Sequence, residues 1–212
     1  MTEEHGSNVG HTVVLASGNQ GKLRELQDAL APAGLALRCQ SDLSVPEAVE
    51  DGVTFIENAL IKARNAAKHT GLPAIADDSG LVVPALGGAP GIHSSRYAGI
   101  QGPDKDTANN AKLLRTMAGL EGEQRAAWFM CVLVYVTSAE DPAPVIAEGR
   151  WYGQIAHELR GEGGFGYDPL FVVDGLSMDG RVITAAELTL EQKRMFSHRG
   201  QAVARLREQL GA

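Results

Sequence analysis

The run Ala126 to Val136 (AAWFMCVLVYV) is apolar throughout and rich in β-branched and aromatic residues. An unbroken run of that kind lacks the polar alternation of a half-solvated sheet. It predicts a central strand covered on both faces. A strand buried that way needs helices above and below it, and the rest of the chain supplies them. His11 to Ser17 (HTVVLAS) reads as a second short buried strand, followed by the glycine-containing turn Gly18 to Gly21. Leu23, Leu26 and Leu30 then recur at helical spacing, so a helix is expected from Lys22 to Leu30, stopping near Pro32 and Gly34. Leu35 to Cys39 is the next expected strand. Thr54-Phe55-Ile56-Glu57 has the form of a capping box and opens an alanine-rich helix to His69, ended by Gly71. Pro73 to Asp78 and Leu81 to Leu86 are expected as strands on either side of an acidic segment. Thr107 to Met117 reads as a helix capped by Asp106 or Thr107. Pro144 to His157 and Leu170 to Val173 follow as strands. A second capping-box pattern, Thr189 to Gln192, opens the C-terminal helices, with Val203, Leu206 and Leu210 inward. Strands and helices alternate without strict βαβ regularity, which predicts an α/β fold built on a mixed sheet with helices on its faces.

Composition narrows the function. The chain has 212 residues, enough for one sizeable domain, and a net charge of −7 that argues against a general nucleic-acid binder. No run of about 18 apolar residues predicts a membrane span. Met1 to Gly10 is polar and acidic, unlike a signal or transit peptide, and is expected to be a disordered extension ahead of a domain over residues 11–212. Cys39 and Cys131 stand far apart in apolar contexts, which predicts buried free thiols of a cytoplasmic protein.

Four segments carry chemistry. Ser17-Gly18-Asn19-Gln20-Gly21-Lys22 lies at a strand-to-helix turn, where backbone N–H groups, the positive helix end and a lysine make a phosphate cradle. It is not a P-loop, because Ala16 and Leu23 stand where GxxxxGK[ST] requires Gly and a hydroxyl residue. Asp77-Asp78-Ser79-Gly80 places two adjacent carboxylates beside an apolar strand, a costly arrangement unless a cation is close. Alternation along a strand sends the two in opposite directions. One is expected to face a metal or water and the other to brace the loop. A carboxylate is the hard ligand that Mg²⁺ prefers, commonly shared with substrate phosphates. Glu50 is a candidate second ligand, while Glu57 is already explained by its capping box. Gly161-Glu162-Gly163-Gly164-Phe165-Gly166 matches GxGxxG on paper but leads into Tyr167-Asp168-Pro169 and a strand, not a helix, so it is no dinucleotide fingerprint. The alternatives are a plain surface loop and a mobile glycine loop presenting Phe165, Tyr167 and Asp168 to a planar ligand. Finally, Lys193, His198 and Arg199 gather cations at a helix start, against the helix dipole, with Ser197 as the cap. That local conflict points to an anionic or carbonyl-bearing ligand.

Together these segments resemble the inosine/xanthosine triphosphate pyrophosphatase family. The carriers are SGNQGKLREL at Ser17 to Leu26, TFIENALIKA at Thr54 to Ala63 and ADDSGLVVPALGGAPGIHSSRYAG at Ala76 to Gly99. GGFGYDPLF at Gly163 to Phe171 and AAELTLEQKRMFSHRG at Ala185 to Gly200 complete the set in the family's order. The resemblance implies a long curved mixed sheet with two lobes around a substrate cleft, usually in a homodimer. It implies Mg²⁺-dependent hydrolysis of non-standard purine nucleoside triphosphates (ITP, dITP, XTP) between the α and β phosphates. Ser17, Gly18, Asn19, Gln20, Gly21 and Lys22 would hold the triphosphate, Lys22 also stabilising developing charge. Asp78 would be general base and metal ligand, Glu50 the other ligand, and Ser79 a substrate contact. Phe165, Gly166, Tyr167, Asp168, Lys193, His198 and Arg199 would line the base and sugar pocket. Two departures stand out: Ser17 replaces a frequent Thr, and Asp174 to Ile183 (DGLSMDGRVI) fits no pattern of the family. The rival readings are a related pyrophosphatase acting on modified or pyrimidine triphosphates, and a nucleotide-binding module without turnover.

Overall fold

The computed structural model describes residues 11–18 and 20–211. The expected extension at residues 1–10, and Asn19, lie outside the described residues. The strands are β1 (His11–Leu15), β2 (Leu35–Cys39), β3 (Ala74–Val82), β4 (Ala126–Val136), β5 (Val145–Ile155), β6 (Phe171–Met178) and β7 (Arg181–Thr184). The α-helices are α1 (Gln20–Leu30), α2 (Phe55–Thr70), α3 (Lys105–Thr116), α4 (Leu190–Phe196) and α5 (His198–Gln209), with short 3₁₀ turns between elements. One seven-stranded sheet has the order β2-β1-β3-β4-β5-β6-β7. β1 pairs in parallel with both β2 and β3, whereas β5–β6 and β6–β7 are antiparallel. The sheet is mixed, as its irregular alternation of strands and helices predicts, and β4 coincides with the apolar run that requires a central position.

The chain divides into two compact units: Met1–Asp77, Val132–Ala147 and Val203–Ala212 form one, and Asp78–Cys131 and Glu148–Ala202 the other. In the first, Val13, Val14 and Leu15 of β1 are fully buried together with Leu26 and Leu30 of α1. β2 lies at the edge of the sheet, and α1 satisfies part of that edge. The Gln27 amide donates to the Leu35 carbonyl at 3.1 Å and accepts from the Leu37 N–H at 2.6 Å. The buried face of α2 is built from Ala59, Ala63, Ala66 and Ala67. Small side chains there let a helix lie close to a neighbouring strand without Cβ conflicts. Both cysteines are buried free thiols.

The core of the second unit includes Leu81, Leu113, Met117, Phe129, Trp151, Tyr167 and Phe171. Arg125, itself buried, spends its guanidinium on carbonyls. Nη1 donates to Met117 O (3.2 Å) and Leu120 O (3.1 Å), closing the C-terminal end of α3, while Nε and Nη2 reach Ile155 O and Ala156 O. Burial pushes this guanidinium below its ordinary pKa.

Three expectations change. The acidic segment lies inside one continuous strand, β3, and does not interrupt two strands, while Pro84–Leu86 is a 3₁₀ turn. Pro84 fixes φ and removes a ladder donor, so the strand ends before it. Asp106 does not cap α3: the N-cap position is Asp104, which makes no side-chain cap bond. The unplaced stretch Asp174–Ile183 is a β-hairpin. Met178 pairs with Arg181, leaving Asp179 (φ 53°) and Gly180 (φ 76°) as its two-residue turn. An Asp-Gly pair with both residues left-handed is the signal for that turn type.

The hairpin is tied down by Glu187. Its carboxylate accepts from Arg181 Nη2 (2.7 Å), Thr184 N (2.8 Å) and Thr184 Oγ1 (3.2 Å). The Arg181 bond first, then the Thr184 N–H, hold its pKa down from 4.5 to about 2. A carboxylate depressed in the folded state contributes stability above its unfolded pKa, and loses it as pH falls through the folded one. The window therefore runs from 4.5 down to about 2. Urea midpoints measured at pH 5 and pH 3 should fall less for Glu187→Gln than for the wild type. Equal falls would remove Glu187 from acid sensitivity.

Candidate functional site

In the first unit the turn after β1 delivers Ser17 and Gly18 to the start of α1. The Ser17 N–H bonds back to the Leu15 carbonyl at 2.8 Å, tightening the exit from the strand. Gln20 and Gly21 open α1, and Lys22 sits in its first turn, which carries no acidic residue. An acid there would favour the helix dipole, and a lysine does not. Its partner lies elsewhere: Lys22 Nζ contacts Asp77 Oδ1 at 2.9 Å and Oδ2 at 2.8 Å. The Asp77 side chain is 2% exposed and that of Lys22 29%. One end of this pair is thus a buried anion, and the other a cation that still reaches solvent at the helix's positive end.

Glu50 precedes α2 and pairs with Lys62 Nζ, one of α2's own residues, at 3.2 Å. The loop carrying it is held close. Gly52 N–H donates to Asn58 Oδ1 at 2.9 Å, and a Cβ at Gly52 would lie 2.6 Å from the Glu57 Cβ. Glu57 is engaged as a cap: its Oε2 accepts from Val53 N, Thr54 N and Thr54 Oγ1. The Thr54 hydroxyl, first among these bonds, lowers its pKa. Sequence reasoning did not find Lys62. Its signal was position, a lysine on the alanine-rich helix that follows an acidic loop.

The second unit begins at Asp78, so the boundary between the units falls within the acidic pair. Asp77 is buried and Asp78 partly exposed, the division that strand alternation requires. Ser79 Oγ lies 3.4 Å from Arg199 Nη2. Arg199 and His198 open α5, with Ser197 Oγ accepting from Gly200 N at 3.2 Å as their cap. Both are more than nine-tenths buried. The His198 ring stacks on Phe129 at 4.9 Å with 12° between planes, and a second ring, Trp151, stands 6.4 Å away. β5 approaches this helix start at Gly149, where a Cβ would lie 2.0 Å from the His198 carbonyl. Glycine is what lets these two elements meet.

The glycine loop joins Lys193 to this unit's site. Asp168 Oδ2 accepts from Lys193 Nζ and, at 2.8 Å, from Phe165 N. Lys193 Nζ also stands 4.4 Å from the centroid of the Phe165 ring. The two aromatic rings part company. Phe165 is 61% exposed, whereas Tyr167 is 4% exposed and its hydroxyl donates to Ser94 O at 2.8 Å. Burial pushes the Tyr167 phenol well up. The segment is tied by hydrogen bonds, and its glycines serve close approach. A Cβ at Gly164 (φ +77°) would lie 2.1 Å from Asp168 Oδ2, and one at Gly163 2.7 Å from Ala186 O. Sequence reasoning also missed Asp106, which accepts from Gly166 N at 2.9 Å, and Asn110, which donates to Gly166 O at 2.8 Å. The signal available was a polar helix whose buried residues are Asn109, Asn110 and Leu113.

Among the described residues no group of three or more His, Cys, Asp or Glu is placed to enclose a metal. No helix is long and apolar enough to cross a membrane among those residues.

Removing Lys22 should expose the cost of Asp77. Breaking a buried ion pair from one side costs about 3–5 kcal/mol. Lys22→Met should therefore lower the unfolding free energy by a few kcal/mol, on that same estimate. Adding Asp77→Asn should restore most of the loss in urea denaturation. A double variant no more stable than the single one would show that the pair does not set this cost.

Comparison with known proteins places these features in a family. The model of the Ham1 family matches residues 13–209. The dITP/XTP pyrophosphatase of Thioalkalivibrio sulfidiphilus is 56% identical over 198 residues, 93% of this chain and 97% of that protein. The dITP/XTP pyrophosphatase of Photorhabdus laumondii is 58% identical over 191 residues, 90% of this chain and 93% of its own length. Among solved structures, a HAM1 protein from Coxiella burnetii superposes with a TM-score of 0.87 at 47% identity, covering 95% of this chain and 98% of its own.

Proposed function

The chain belongs to the Ham1 family, and we propose that it hydrolyses non-standard purine nucleoside triphosphates (ITP, dITP, XTP) to the monophosphate and pyrophosphate. The observation that carries this reading is the name dITP/XTP pyrophosphatase on relatives 56–58% identical over nearly the whole chain. The side-chain chemistry supports it independently. Ser17, Gly18, Asn19, Gln20, Gly21 and Lys22 hold the triphosphate: N–H groups at the start of α1 face the phosphate oxygens, and Lys22 balances charge that develops as the anhydride opens. Asp77 keeps Lys22 aimed. Asp78 takes the proton of the attacking water, and Ser79 contacts the substrate.

Phe165 stacks on the purine, Gly166 and Tyr167 form the backbone turn behind it, and the Asp168–Lys193 pair takes polar groups of the base and sugar. His198 and Arg199 donate to the 6-oxo group of the base. Adenine, with a 6-amino group, would leave those donors facing another donor, and that mismatch is the source of selectivity.

The donor set fits Mg²⁺. Two hard carboxylates, Asp78 and Glu50, would hold the ion, leaving the remaining positions to phosphate and water, as is usual for this metal. When bound, Mg²⁺ neutralises phosphate charge and favours departure of pyrophosphate. We further read residues 11–212 as one catalytic domain of a cytoplasmic homodimer, without nucleic-acid or membrane partners; light scattering checks the dimer.

Pyrophosphate release from ITP, XTP, ATP, GTP and UTP with Mg²⁺ tests the reading. ITP and XTP should exceed ATP by about a hundredfold in kcat/KM, and EDTA should abolish the activity. Comparable rates on UTP with little on ITP would sink the purine assignment. Ligand-stabilised folding without pyrophosphate release would favour a binding module. Asp78→Asn should lower kcat by about 10²–10⁴-fold, and near-normal turnover would remove Asp78 from this role.

A further inference from the structure

Two side chains one helical turn apart grip a single residue of the glycine loop. The N–H of Gly166 donates to Asp106 Oδ2 at 2.9 Å, and its carbonyl accepts from Asn110 Nδ2 at 2.8 Å. These two groups flank the φ and ψ torsions of Gly166, so fixing both fixes both torsions. Gly166 has φ +61°, a conformation that costs an L side chain energy but costs glycine none. It is therefore the most adjustable joint between the exposed Phe165 ring and the buried Tyr167 ring. α3 holds the neighbouring anchor as well. Asn109 Nδ2 donates to Ser94 O at 3.2 Å, the same carbonyl that receives the Tyr167 hydroxyl.

This grip is poorly explained by stability alone. A carboxylate at a helix start is ordinarily spent on the helix's own N–H groups. Here Asp104 makes no cap bond, and Asp106 is turned to a loop 60 residues away. Asn110 is 5% exposed, and its Oδ1 has no hydrogen-bond partner among the described residues. A buried amide used at one end only is a net cost to the fold. Local costs of this kind gather where geometry serves a ligand. α3 can serve as the reference because Arg125 fixes its other end.

We propose that Asp106 and Asn110 are positioning residues for purine recognition. They set the Gly166 torsions, and through them place the Phe165 ring and the Asp168–Lys193 pair against the base and sugar, without touching substrate themselves. The proposal rests on the reading of Phe165 to Asp168 and Lys193 as the base and sugar pocket.

Steady-state kinetics on ITP test it, using Asp106→Ala, Asp106→Asn, Asn110→Ala and Gly166→Ala beside the pocket variants Phe165→Ala and Lys193→Met. KM does not depend on the folded fraction of a sample, so partial unfolding does not mimic the effect. Asp106→Ala and Asn110→Ala should each raise KM about five- to tenfold, the worth of one hydrogen bond, with kcat within about twofold. Asp106→Asn keeps an acceptor for the Gly166 N–H and should stay near the wild-type KM. Gly166→Ala has no clash to relieve, since nothing lies within 4 Å of its Cβ, but strains φ +61° and should raise KM likewise. It supplies the test should an α3 variant fail to fold. If Phe165→Ala raises KM while the α3 alanine variants and Gly166→Ala do not, or if those lower kcat alone, the positioning role falls and the pocket stands. If neither Phe165→Ala nor Lys193→Met changes KM, the pocket reading falls and the positioning role with it.

Discussion

A carboxylate enclosed in a sheet must be paired, and Asp77 is the point where β3 meets that demand. Its side chain is 2% exposed, and Lys22 lies within 2.9 Å of both its oxygens. The pairing fixes where the first turn of α1 sits in its unit. It also uses up one of two adjacent acids, so that Asp78, on the opposite side of the strand, is the one left partly exposed. A single residue step along an extended backbone thus separates a buried anion from a partly exposed one. The same pair that lowers the cost of burying Asp77 keeps a cation at the positive end of a helix, where its repulsion by the dipole is balanced by the carboxylate.

The second unit solves a related problem with arginine and histidine. His198 and Arg199 are more than nine-tenths buried at the start of α5, where cations are disfavoured. The surroundings offset this in two ways. Phe129 gives the imidazole a flat apolar face, and Gly149 removes the Cβ that would otherwise push the helix start off β5. Neither compensation involves the polar atoms of the two side chains.

Local relations were legible in the sequence, and distant ones were not. Both capping boxes form as written, Thr54 with Glu57 and Thr189 with Gln192, because each closes over three residues. β4 begins and ends where the apolar run does. The hairpin at Asp179-Gly180 carried its signal in two residues and was passed over only because no family pattern covered it. Lys22 and Asp77, 55 residues apart, were each singled out, but their pairing depends on how α1 lies against β3. Asp106 was misplaced for a similar reason. Its local reading as a cap is chemically sound, and a loop 60 residues away outcompetes it. Glycine in a sequence signals freedom and close approach alike, and at Gly163 and Gly164 it is the absence of a Cβ that matters.

That last distinction bears on how selectivity between purines arises. Hypoxanthine and adenine differ at position 6, oxo against amino, and at N1, donor against acceptor, and a binding site tells them apart by leaving a buried donor or acceptor unpaired in the wrong complex. The penalty is realised only if the site cannot shift to relieve it. A loop of free glycines would shift. In this loop the Phe165 N–H is held by Asp168, both polar groups of Gly166 by α3, and the Tyr167 hydroxyl by Ser94. These bonds hold the loop backbone without a ligand, which lowers the ordering that binding must supply. Rigid backbone around an exposed aromatic ring gives stacking affinity that any base can use. In the proposed pocket the polar mismatch falls instead on His198 and Arg199, both more than nine-tenths buried, where a donor left facing a donor has little water to turn to.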